Sequence, residues 1–226
     1  MNIYELTGLI IGDGCILYNK RNRTYRLEIA GDVKQDQLYF KEISELIRKL
    51  TNKMPWVIIR KNEKGYGLYL ILNNKKFVEF LINKIGLPYG KKTFTIVVPN
   101  KFLKWRYFKH ILRGIFESDG SLYFSKSKVI DYPSYPRIEI RTSSKNLAFQ
   151  IFKLLKNKNF KIQFMKTKYK DYKVYLSGEV MLNKWVKEIG FSNINTTSKV
   201  NLWRKLGYYI PRITLEQRRK LLKAYL

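Results

Sequence analysis

Two aspartates carry the chemistry that this chain can offer. Asp13 closes the run Leu6-Thr7-Gly8-Leu9-Ile10-Ile11-Gly12-Asp13-Gly14, and Asp119 closes Leu112-Arg113-Gly114-Ile115-Phe116-Glu117-Ser118-Asp119-Gly120. They stand 106 residues apart (119 less 13), close to half of the 226 residues. Each follows an apolar run with helical spacing, so each acid falls at a helix C-terminal end. That end carries partial negative charge, and an acid there is disfavoured by about 0.3–1 kcal/mol. Two such ends side by side add carboxylate repulsion. A hard divalent cation held by carboxylate and main-chain oxygens relieves both, which points to Mg²⁺ or Mn²⁺. Beside a scissile phosphate such an ion activates water and stabilises the leaving oxygen. A lone Asp-Gly is a common turn, so the duplication, not the dipeptide, carries the reading.

The acids need elements that bring them together. In the first run Ile3, Leu6, Leu9 and Ile10 form an apolar stripe, while Gly8 and Gly12, four apart, lie on another side. The second run repeats this with Phe108, Ile111, Leu112, Ile115 and Phe116 as the stripe and Gly114 and Ser118 as the small residues. Glycine costs about 1 kcal/mol against alanine inside a helix. Its use is explained if the two helices pack on each other through Gly8, Gly12, Gly114 and Ser118.

Each run is followed by the same series. Tyr25–Ile29 and Pro136–Ile140 alternate with the strand period. Gln37–Ile47 and Leu147–Leu155 read as helices. Trp56–Lys61 with Tyr66–Leu72, and Lys161–Lys166 with Tyr172–Ser177, read as strand pairs. Lys76–Gly86 and Met181–Gly190 read as further helices, both ending on Ile-Gly, as helix ends often do. The expected fold is therefore α+β: two αββαββα subdomains related by a pseudo-twofold axis, with antiparallel sheets and the motif helices paired between them. We place the subdomains at 1–103 and 104–206, joined near Pro99–Trp105. A C-terminal helical extension at 207–226 has its helix starting at Thr214, with Gln217 in capping-box spacing.

Composition limits the function. Lys+Arg 45 against Asp+Glu 17 gives a net charge of +28, far beyond what solubility needs. A polyanion is the natural partner, and nucleic acid is the usual one. One cysteine, Cys15, excludes an internal disulfide and a cysteine-based zinc site. One histidine, His110, argues against His-centred metal binding and Ser-His catalysis. No apolar run approaches transmembrane length, and MNIYEL does not read as a signal peptide. We expect an intracellular protein, in a prokaryotic cytoplasm or an organelle, with no membrane partner and no small-molecule cofactor.

These segments resemble the LAGLIDADG homing endonucleases in their single-chain, two-motif form. The likeness spans roughly residues 3–200. It implies sheets that form a saddle over double-stranded DNA, a monomer with pseudo-twofold symmetry, and cleavage of both strands of a long, asymmetric target to leave short 3′ overhangs. The essential acid at the eighth motif position corresponds to Asp13 and Asp119. The residues before them, Gly12 and Ser118, would supply carbonyl ligands to the metal. Glu117, at the sixth position opposite Ile11, reads as a solvated or interhelical residue, not a ligand. Supporting basic residues in the corresponding regions are Lys34, Arg141 and Lys145.

The resemblance puts the strand pairs on DNA, and alternation in the sequence agrees. Arg26 and Glu28, then Arg137, Glu139 and Arg141, then Lys173, Tyr175 and Ser177, each share one strand face. Such a face can enter a major groove and read base edges. The basic residues Lys20, Arg21, Arg23, Lys61, Lys64, Lys126, Lys128, Lys166, Lys168 and Lys170 are expected on phosphates, as are Lys91, Lys92 and Lys199 beyond the third helix of each half. Two other functions fit the same fold: an intron RNA maturase and a DNA-binding regulator without cleavage. Retention of both acids favours the nuclease.

Overall fold

A computed structural model describes residues 1–62, 65–126 and 132–224. The expected contacts of Lys64 and Lys128 lie outside the described residues. The first half runs α1 (Ile3–Ile11), β1 (Gly14–Asn19), β2 (Thr24–Gly31), α2 (Gln37–Thr51), β3 (Trp56–Asn62), β4 (Gly65–Asn73) and α3 (Lys75–Glu79), which continues as one π-helical turn to Ile85. The second runs α4 (Trp105–Asp119), β5 (Gly120–Lys126), β6 (Pro133–Thr142), α5 (Lys145–Asn157), β7 (Ile162–Lys166), β8 (Tyr172–Ser177) and α6 (Glu179–Glu188). A short 3-10 turn, Asn100–Phe102, precedes α4.

Each half builds a four-stranded antiparallel sheet, ordered β1-β2-β4-β3 and β5-β6-β8-β7. The two orders are the same order repeated, as duplication requires. Alternation sorts the strands into two faces. Ile16, Leu27, Ile29, Leu68, Leu70 and Leu72 are buried under the helices, as are Leu122, Ile138, Ile140, Val174 and Leu176 in the second sheet. The alternate residues form the open faces.

The motif helices α1 and α4 make the joint between the halves. A Cβ placed on Gly8 would stand 2.0 Å from the Ile111 carbonyl oxygen, and one on Gly114 would stand 2.0 Å from that of Glu5. The two contacts exchange under the 106-residue shift, so the helix pair is pseudo-symmetric at the level of single atoms. Around this joint lies one continuous apolar core drawn from both halves. Within it the Glu5 carboxylate is fully buried. Arg113 faces it across the joint at 3.5 Å, and the Arg113 Nε also donates to the Ile189 carbonyl at 2.6 Å.

The C-terminal region differs from expectation. A helix, α7 (Ile194–Leu206), occupies a stretch assigned no element at the end of the second subdomain. Its Asn, Thr and Ser residues have weak helix propensity, so tertiary packing decides the matter. Terminal helix α8 (Leu215–Lys223) starts after Thr214 with both arms of the capping box formed.

Candidate active site at the paired helix ends

The end of α1 and the end of α4 arrive side by side. A Cβ on Gly12 would stand 2.0 Å from Ser118 Oγ and 3.1 Å from Asp119 Oδ2. Asp119 is the last residue of α4, and Asp13 lies just past α1. Asp13 is exposed, while Asp119 is half-buried. Burial pushes the Asp119 carboxyl up to about 7; Asp13 adds to the rise, and Lys92 opposes it. Burial also raises Asp13, against the pull of Lys92 and with a further push from Asp36.

Lys92 is the residue that sequence reasoning placed elsewhere, among the phosphate contacts. Its Nζ donates to the carbonyl oxygens of Ile11 at 2.6 Å and Gly12 at 2.9 Å. It is thus a cation seated on the negative end of α1, where such a charge is favoured. Burial lowers its pKa, and Asp119 and Asp13 hold the ammonium against that. Lys92, Arg141 and Asp119 line one cavity of about 210 Å³ beside Ile11 and Gly12. Of the three expected supporting bases only Arg141 is found there. Lys145 is exposed at the start of α5, and Lys34 lines a different cavity next to Arg212 and Arg218.

Two crossing segments bring these groups in. Residues 86–99 leave the first half and dock on the second. There Ser144 Oγ donates to the Ile96 carbonyl at 2.7 Å, and Gln150 binds both the NH and the carbonyl of Val98. In return Asn193 and Asn195 of the second half bind Asp36 and Gln35 of the first. The first crossing carries Lys92 over the end of α1.

The other side of the acid pair is built differently. Glu117, expected to be solvated or interhelical, accepts from the backbone NH groups of Ser192 and Asn193 at 2.7 and 3.2 Å and from Thr196 Oγ1 at 3.3 Å. It fastens the start of α7. Burial raises its carboxyl to about 7 despite those bonds.

The donors gathered here are oxygens, the class that a hard cation takes. Two raised carboxylates repel each other, and the adjoining helix end already seats an ammonium. Among the described residues no group of three His, Cys, Asp or Glu side chains could hold a metal. A Mg²⁺ site of one or two carboxylates completed by substrate phosphate and water needs no third. The expected carbonyl ligand of Gly12 is engaged by Lys92, and Ser118 turns its hydroxyl back to the Gly114 and Ile115 carbonyls.

On the second open face Glu139 is the hub. It accepts from Arg141 at 2.9 Å, Lys173 at 2.6 Å and Tyr123 at 2.9 Å. Burial pushes its carboxyl up, but Lys173, Tyr123 and Arg141 together bring it below its ordinary range. Arg137 binds Ser125 Oγ and lies 5.4 Å over the Tyr135 ring. Tyr175 stands across from Glu139, with Lys173 over its ring and its hydroxyl bonded to Gln163. The first open face is less polar. Arg26 binds Asn73 and Glu28, and Arg60 reaches Glu28, but their neighbours there include Leu17, Trp56, Ile58 and Ile71. Arg21 and Arg23 are exposed at the β1–β2 turn and Lys168 at the β7–β8 turn. Lys61 and Lys166 pair across from Tyr66 and Tyr172, in the strand rows of the helix-covered side. Neither therefore shares a face with Glu28 or Glu139, and Lys126 lies at a register irregularity ending β5.

Duplicated αββαββα halves meeting at paired motif helices define a LAGLIDADG-like protein. The WhiA LAGLIDADG-like domain model matches residues 4–94 and 108–194, and the chain belongs to that family. No curated protein sequence matches it. Solved structures share its fold. The homing endonuclease I-DmoI in complex with DNA and Mn is 20% identical with a TM-score of 0.54, over 84% of this chain and 96% of that one. The homing endonuclease I-WcaI bound to its DNA recognition sequence is 19% identical with a TM-score of 0.56, over 84% and 85%. Full-length DUF199/WhiA from Thermatoga maritima is 15% identical with a TM-score of 0.55, over 99% of this chain and 65% of that one. No described helix is long and apolar enough to cross a membrane.

Proposed function

We propose that the protein is a metal-dependent, site-specific DNA endonuclease acting as a single chain. The observation that carries this reading is the meeting of Asp13 and Asp119 at adjoining helix ends, with Lys92 beside both and lining the same cavity as Asp119. A fold kept only for binding has no need of two mutually repelling acids there. The target is long and asymmetric, because the two open faces differ in polarity, and the break leaves short 3′ overhangs.

Asp13 and Asp119, with the main-chain oxygen of Ser118, would hold Mg²⁺ or Mn²⁺, while the Gly12 carbonyl stays with Lys92. When bound, the ion would supply an activated water and charge stabilisation at the leaving oxygen. The chain supplies the rest. Arg141 and Lys92 neutralise the scissile phosphate and orient it against the acids. Glu139 holds Arg141 in place from the open face. Lys92, by holding the end of α1, fixes the direction of the Gly12 carbonyl.

The test is cleavage of DNA spanning the genomic insertion point of the reading frame, with Mg²⁺. A double-strand cut that Asp13→Asn and Asp119→Asn each abolish, with DNA binding retained, supports the assignment. Cutting by both variants at the wild-type rate refutes it. A second reading, a domain that holds DNA without cutting it, is favoured by the matching family model being that of WhiA and not of an endonuclease. It predicts tight DNA binding with no metal-dependent cut.

A further inference from the structure

We propose that the C-terminal segment completes a phosphate-binding pocket, separate from the acid pair, in which Lys199 and Arg212 take the anion. The cavity holds about 510 Å³ and lies between α7, β5, the segment 209–218 and the residues preceding α2. Four cations line it, Lys34, Lys199, Arg212 and Arg218, and among the described residues no carboxylate does. The family match stops at residue 194, so most of the pocket is built by residues beyond it.

Charge balance is what points to an anion. Arg218 is only 2% exposed, yet all its acceptors are neutral: Ser198 Oγ at 2.9 Å, Tyr209 OH at 3.2 Å, the Ile213 carbonyl at 2.8 Å, and the carbonyl and side chain of Asn195. A buried guanidinium is ordinarily matched by an acid. Among the described residues neither Arg218 nor Lys199 forms an ion pair. The Lys199 ammonium is pushed below its usual range, by burial and then by Arg218. Glu117, at a neighbouring cavity that Lys199 also lines with Asp32 and Asp36, opposes this, and its oxygens are already bonded to Ser192, Asn193 and Thr196. Two cations that repel one another across a cavity make a potential that an anion relieves. A lysine point charge beside an arginine fork suits phosphate oxygens.

The pocket is also fixed in place. The Tyr209 NH donates to the Pro133 carbonyl at 2.7 Å, and its ring stacks on Phe124 at 4.9 Å. The α8 capping box and the Arg218 bonds hold the far wall. Tyr123, on the open face of β5, stands at the same cavity. A backbone phosphodiester of bound DNA and free phosphate therefore share this chemistry.

The full chain with inorganic phosphate tests the proposal, using chloride at matched ionic strength as the control. About 10 mM phosphate should raise the melting temperature of the wild type by about 3 °C. The rise should be less than half as large in Lys199→Gln and Arg212→Gln. A second arm measures the salt dependence of DNA binding, where each variant should lower the slope by about 1 if the anion is a backbone phosphate. A phosphate response without a slope change assigns the pocket to free phosphate, and the reverse assigns it to DNA. If neither variant alters either measurement, the proposal is wrong. Arg212 lies exposed at the rim, so Arg212→Gln carries the test even where Lys199→Gln does not fold. Neither arm depends on cleavage, so the result stands apart from the nuclease reading.

Discussion

Gly8→Ala sets two effects of opposite sign against each other at the helix joint. Alanine favours the helix over glycine by about 1 kcal/mol, so propensity alone predicts a more stable protein. The structure predicts the reverse. The new Cβ would stand 2.0 Å from the Ile111 carbonyl oxygen and 2.8 Å from the Ile115 nitrogen, where ordinary contact begins at 3.4 Å. The shortfall at the oxygen is about 1.4 Å (3.4 less 2.0). Both atoms are α4 backbone, so neither can swing aside, and the helices must separate. A gap of about 0.5–1 Å already forfeits a quarter to a half of the dispersion well. Overpacking costs about 1–3 kcal/mol, and a clash between two backbones belongs at or above the upper end. Net of propensity, the loss is about 2 kcal/mol. At about 2–4 °C per kcal/mol for a chain of this size, the melting temperature should fall by about 4–8 °C. Thermal unfolding followed by circular dichroism measures this. Gly114→Ala should behave alike, because its Cβ would meet the Glu5 carbonyl oxygen at the same 2.0 Å. A Gly8→Ala protein that melts at or above the wild type would refute the close approach of α1 and α4, and with it the geometry that brings the acids together.

Other perturbations probe the site. The Asp119 carboxyl is raised to about 7 by burial and Asp13, so its contribution to stability is complete below its unfolded value of about 3.8 and is lost as pH rises through about 7. In chelator, Asp119→Asn should therefore melt with the wild type near pH 4 and above it near pH 8; an equal difference at both would sink the argument. Lys92→Met removes the cation from the carbonyls of Ile11 and Gly12 and from beside both acids. It should cut the cleavage rate by roughly 10²–10³ and move the pH profile upward, and an unshifted profile would show that Lys92 acts only on packing. Glu139→Gln frees Arg141 and Lys173 from their shared carboxylate. Non-specific DNA binding should tighten and its salt slope steepen by up to about 2, whereas an unchanged slope would mean that neither cation meets phosphate.

Much of the fold can be read from local patterns, because each half repeats them. The Leu6–Gly14 and Leu112–Gly120 runs, the alternation at Arg26–Glu28 and Arg137–Arg141, and Thr214 with Gln217 each announce an element without help from the rest of the chain. Helix α7 does not, since its Asn-Thr-Thr-Ser stretch is held by contacts with Gln35 and Glu117, and the Asn193 that caps it by Asp36. Glu117 is misread for the same reason: its partners Ser192, Asn193 and Thr196 lie more than seventy residues away. Strand parity separates Lys61 and Lys166 from the open faces, because each lies in a strand in register with the rows of the helix-covered side.

By itself the sequence determined the doubling, the two acids, the small residues that let two helices touch, and a net charge that calls for a polyanion. These are properties of residue type and short-range spacing, and they survive in any conformation. Only the tertiary structure decided which cation serves the acids. Lys92 is one of many lysines until residues 86–99 cross to the second half and lay its ammonium on the end of α1. It likewise decided that Lys34 shares a cavity with Arg212 and Arg218 and not with the acids, and that Lys199 and Arg218 share that cavity with no carboxylate among the described residues. Electrostatics depends on distance and burial, and a sequence states neither for residues far apart along the chain.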